Sequence, residues 1–149
     1  MAAWQFTVCL IPKYWFDINA KEITKFYDEE GNYDVSFTWK DIKTNDAKHE
    51  IIKYYTLSKS WHEDLISFGY EQKTDAQVWY AEGELENIQF RIDMRGNFVL
   101  DIEKIVTIAQ KLSCVFFLPE QKCIAEANVF EIISYAKTSN AYLFAKDPE

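Results

Sequence analysis

Two groups of side chains have the types that chemistry requires. The run His62, Glu63, Asp64 sets a histidine beside two carboxylates, and histidine titrates near neutral pH, so His62 is a candidate general base with an orienting acid. Arg91, Asp93 and Arg95 stand two apart in ENIQFRIDMR (86–95), where an extended chain turns all three to one side, about 7 Å from one to the next. With its carboxylate between two guanidinium groups, such a row could bind an anion or pair with acids on a neighbouring strand. His49, in a charged helical stretch, is the only other histidine.

Each group also has a plainer explanation. Adjacent helical residues point about a third of a turn apart, so the 62–64 run builds no dyad by itself, and Glu63 three places after Ser60 fits a capping box. The arginine row fits a charge ladder against Glu82 or Glu84 of the adjoining strand. With four glycines and three prolines there is no glycine-rich phosphate cradle, and no GxSxG, HExxH or P-loop lysine occurs. Cys9, Cys114 and Cys123 lack the spacing of a metal knuckle and read as reduced thiols of a reducing compartment. The expectation is a protein without catalysis, cofactor or metal. A small enzyme or anion-binding domain using His62 with Arg91, Asp93 and Arg95 is the alternative.

The acids carry a different message. The chain has 24 acidic against 16 basic residues, a net charge of −8. The surplus gathers at 17–34, where Asp17, Glu22, Asp28, Glu29, Glu30 and Asp34 face Lys21 and Lys25, and at 61–90, where Glu63, Asp64, Glu71, Asp75, Glu82, Glu84 and Glu86 face Lys73 alone. Residues 35–60 lean basic. Such a balance opposes direct nucleic-acid binding, which needs a basic footprint, and suits a basic protein, because complementary charge raises association rates. Tyr27, Tyr33, Trp61 and Tyr70 stand among these acids, and rings of this kind anchor protein interfaces. The competing reading is core packing for the rings and solubility for the charge.

Certain elements must position these residues. The 149 residues suit one globular domain (1–149), and a composition of 48% hydrophobic and 17% aromatic residues supplies a bulky core. AWQFTVCLI alternates as a strand over 3–11, stopped by Pro12. A short helix is predicted from Asn19 to Gly31, a strand at 33–39, a helix-like stretch at 46–57, and a second helix from Ser60 to Gly69. AQVWYAE and ENIQFRIDMR form a hairpin with Gly83 in the turn, Ile88, Phe90, Ile92 and Met94 facing the core. A helix starts at Asp101. CVFFL then reads as a strand covered on both faces, and residues 86–118 make a right-handed βαβ unit if it runs parallel to the strand before the helix. KCIAE is a short strand, and Asn128 with Glu131 caps a final helix. The fold class is α/β or α+β, with a mixed, mainly antiparallel sheet of about five or six strands. No signal peptide or membrane span is legible, so a soluble cytoplasmic protein is expected.

AWQFTVCLIPKYW, SWHEDLISFG, RIDMR, LDIEKIVTIAQKLSCVFF and the closing FAKDP together resemble small acidic bacterial immunity proteins of polymorphic-toxin and contact-dependent growth inhibition loci. The resemblance spans the chain, and its motifs are fold markers that transfer no site residue. It implies a cytoplasmic, non-catalytic inhibitor that binds a cognate toxin domain, commonly a basic nuclease. On this reading Asp28, Glu29, Glu30, Asp34, Trp61, Glu63, Asp64, Glu82, Glu84 and Glu86 meet the partner, their carboxylates standing in for substrate phosphates.

Overall fold

The computed structural model describes residues 1–19, 23–42 and 47–147. The predicted helix start at 20–22, Lys43 and Asp46 lie outside them. The described chain is α+β: one seven-stranded sheet in the order β2-β3-β4-β5-β1-β6-β7, every adjacent pair antiparallel, with five helices. The strands are β1 (Gln5–Pro12), β2 (Leu57–Ser58), β3 (Leu65–Gly69), β4 (Asp75–Ala81), β5 (Glu84–Asp93), β6 (Cys114–Leu118) and β7 (Cys123–Ala125). The helices are α1 (Lys13–Asn19), α2 (Ala47–Ile51), α3 (Phe98–Lys111), α4 (Val129–Lys137) and α5 (Asn140–Lys146).

Alternation builds the two faces. Phe6, Val8 and Leu10 of β1 join Ile88, Phe90 and Ile92 of β5 in the main core, where Ile102, Ile105 and Ala109 of α3 and Ile132 of α4 cover them. The opposite face of β1 and β6 carries Cys9, Ile11, Val115 and Phe117, which Phe26 and Val35 bury in a second, smaller core. CVFFL is therefore buried on both faces, as its unbroken apolar run predicts. β5 and β6 are parallel to each other, but β1 lies between them, so 86–118 is a split βαβ arrangement and not an adjacent pair.

Several predicted helices are absent. Residues 60–64 form a turn and 65–69 form β3, paired with β4 from Leu65↔Trp79 to Gly69↔Asp75. Ser60 caps no helix: its Oγ accepts from the Ser67 N–H. The capping-box pattern lost to sheet pairing, which satisfies five residues of backbone at once. Residues 23–26 are a single 3₁₀ turn in place of a helix to Gly31, and 36–39 are another in place of a strand. α2 ends at Ile51, short of 57. α3 begins at Phe98, capped by Asn97 Oδ1 on the Leu100 N–H, so Asp101 lies in its first turn and accepts from Tyr55 and Thr74 hydroxyls. At α4 the expected cap holds, with Asn128 accepting from the Glu131 N–H.

Candidate functional site

The residues singled out by type meet on one face of the sheet. Asp75, Gln77 and Trp79 of β4 and Gln89, Arg91 and Asp93 of β5 alternate with core residues, so they look away from α3 and α4. Register places Ser67, Gln77, Gln89 and Cys9 in one row, with Gly69, Asp75, Arg91 and Thr7 in the next.

Polar groups in these rows satisfy one another sideways. Arg91 grips Asp75 through two hydrogen bonds, Gln89 donates to Gln77, and the Tyr33 hydroxyl donates to Gln89 at 3.2 Å. Burial pushes the Asp75 carboxyl up against the pull of Arg91, while Asp75 raises the guanidinium in turn. Cys9, sealed beneath this layer, has its thiol pushed up to about 12 by burial and is inert as a nucleophile.

The arginine row of the sequence is thereby rearranged. Arg91 pairs with Asp75, not with Glu82 or Glu84, because the strand register brings Asp75 opposite it and leaves those glutamates at the hairpin end. Asp93 is not shared between two arginines. It takes Arg95 alone, at 3.0 Å on each oxygen, and Arg95 lies 3.9 Å over the Trp4 ring. Burial works against the Asp93 charge, yet the Arg95 bonds hold its carboxyl below the usual range.

His62 is remote from that row. Its Nδ1 accepts the Asp64 backbone N–H at 3.0 Å, and its ring packs against Trp79, which pairs with Asn87. Asn87 lies four residues from Arg91, about 13 Å along β5. The Asp64 carboxylate does not orient His62, and His62, Arg91, Asp93 and Arg95 do not converge. His49 is exposed on α2. Among the described residues no group of three or more His, Cys, Asp or Glu is arranged to hold a metal.

The acidic residues divide into two places. Asp28 Oδ1 accepts the N–H groups of Glu30 and Asn32, and Asp34 accepts from Ser36, so these two carboxylates shape their loop while Glu29 and Glu30 project to solvent. Tyr27 pairs with Tyr33 across that loop and donates to the Pro119 carbonyl, which ties it over β6. A cavity of about 530 Å³ lies between this loop and β5, with Tyr27, Tyr33, Gln89 and Arg91 in its walls.

The second place is the far corner of the same face. Trp61, His62 and Trp79 contact one another, with centroids 5.3 to 6.0 Å apart, and Trp61 is 72% exposed. Tyr80 N–H donates to the Asp64 carbonyl, which fixes the 61–64 turn beside the β4–β5 hairpin. There Ala81 pairs with Glu84 across the Glu82–Gly83 turn, both turn residues having positive φ as a type I′ turn demands. The turn that carries Glu63 and Asp64 thus lies beside the hairpin that carries Glu82, Glu84 and Glu86. Between corner and arginine lies a cavity of about 390 Å³, with Trp61, Tyr70, Glu71 and Asp75 in its walls.

The sequence reading did not place Asp75 and Gln77 on this face. Comparison with protein-family models, with curated proteins and with solved structures finds no match to the chain.

Proposed function

We propose that this chain is an immunity-type inhibitor: a non-catalytic bacterial cytoplasmic protein that captures a basic toxin domain, in the first instance a nuclease, on the second face of its sheet. The observation that carries the reading is the exposed Trp61, packed edge-on against Trp79 in a turn tied by the Tyr80 N–H beside the acidic 82–86 hairpin. An exposed tryptophan on an acidic turn supplies both halves of a protein interface: the ring contributes anchoring area, and the charges steer a cationic partner and select it. The resemblance to immunity proteins points the same way.

The test is co-purification with the product of the adjacent upstream gene, followed by titration of the pair at low and high salt. Tight capture that silences a toxic activity, with an association rate that falls steeply as salt rises, is the expected result. Reversing Glu63 and Asp64 to lysine slows association at least tenfold on this reading. Capture indifferent to both salt and charge reversal overturns the acidic-face assignment.

A further inference from the structure

One contact inside the molecule indicates what the exposed corner is shaped to receive. At Trp4 the Arg95 guanidinium lies 3.9 Å over the indole ring, and the Asp93 carboxylate clamps its Nε and Nη2 edge at 3.0 Å. Cation, ring and carboxylate form a closed set, the arrangement that favours arginine over lysine, because a planar guanidinium stacks and forks at once. Phe144 stacks on the same ring, at 6.2 Å.

The Trp61 corner has two of those three parts. Its indole stands at 70° to Trp79 in an edge contact and is otherwise largely exposed. Glu63 and Asp64 follow it in the same turn after His62, and Glu84 alternates with buried Leu85 in the hairpin beside that turn. No cation–π contact falls on Trp61 among the described residues; His62, the next residue, meets the ring edge-on at 6.0 Å, and Lys59 lies in the wall of the neighbouring cavity.

We infer that Trp61 with Glu63 and Asp64 is a seat for an arginine side chain of a basic protein partner, the intermolecular counterpart of the Trp4–Arg95–Asp93 set. The inference rests on the proposed function and narrows it to one anchor. The 28–34 loop lies outside this seat, since Asp28 and Asp34 are committed to their own turns and the loop adjoins the other cavity.

Titration of the whole protein with hexa-arginine and hexa-lysine, followed by the indole N–H resonances in an NMR spectrum, tests it. Hexa-arginine should move the Trp61 signal, identified with Trp61→Phe, and bind several-fold more tightly than hexa-lysine. Trp61→Ala should weaken it roughly fivefold or more, in line with a desolvated cation–π contact. Glu63→Gln with Asp64→Asn should weaken it too, and Glu29→Gln with Glu30→Gln should not. A Trp61 signal that stays still, or moves equally with hexa-lysine, overturns the seat. If the signal responds but no basic domain is captured, the inhibitor reading fails and the seat stands. If capture survives Trp61→Ala at full affinity, the inhibitor reading stands and the seat is wrong.

Discussion

On β1, β6 and β7 the second face of the sheet carries Cys9, Ile11, Val115, Phe117 and Ile124, and Phe26 and Val35 bury them. On β3 to β5 the same face carries Ser67, Gln77, Asp75, Gln89 and Arg91, of which Asp75 and Gln77 are buried and the rest half-buried. The strands alternate alike in both halves. The difference is that apolar side chains leave water by packing against other apolar groups, whereas the polar ones satisfy one another within the plane of the sheet. Lateral hydrogen bonding is therefore what allows half a sheet face to be polar while the other half is apolar core.

Stability measurements can break that contrast. Phe117→Ala in the covered half should cost about 3–5 kcal/mol in denaturant unfolding, since the ring is fully buried against Phe26, Tyr27 and Tyr33. Gln77→Ala should cost about 1 kcal/mol or less. Equal costs would mean that the polar half depends on packing as the apolar half does. Next in size is Asp75→Ala, which leaves a half-buried Arg91 without its carboxylate and should cost about 3 kcal/mol. The pair replaced together by Leu at 75 and Met at 91 should recover most of the loss. No recovery in the double variant would make the pair a source of net stability and not a lateral tie.

The smallest effect concerns acid. Asp93 titrates below its ordinary value in the folded chain, so it supports the fold above the unfolded carboxyl range near ~pH 4, and the support drains away as pH falls through the lower folded value. Asp93→Asn should lower stability at neutral pH and flatten its decline between roughly pH 5 and 2. An unchanged acid limb would show that Arg95 rests on Trp4 without help from its clamp.

How much of this was legible follows the physics of each segment. ENIQFRIDMR, CVFFL and KCIAE lie where their patterns put them, because a period of two with a buried side is specified by the side chains themselves. SWHEDLISFG misleads: its capping-box pattern is local, while the pairing of LISFG with β4 is tertiary. The partner of Arg91 was hidden by one residue. Counting back from the Glu82–Gly83 turn without interruption sets Asp75 against Phe90, a polar residue opposite a core one; the register shift beside Glu86 moves the count to Arg91. That mismatch was present in the sequence as a clash of two alternations, and it is the signal by which the bulge, and with it the ion pair, could have been found. The Trp61 corner had no such signal, since it depends on a loop and a hairpin meeting.

The position of β1 has a consequence in time. The strand made earliest lies between β5 and β6, and its pairing Cys9↔Gln89 joins residues 80 apart. At a synthesis rate of about 5–20 residues per second, an emerging chain carries this strand, apolar on its core side, unpaired for roughly 4–16 s before β5 exists. The sheet closes from its middle, and it closes late.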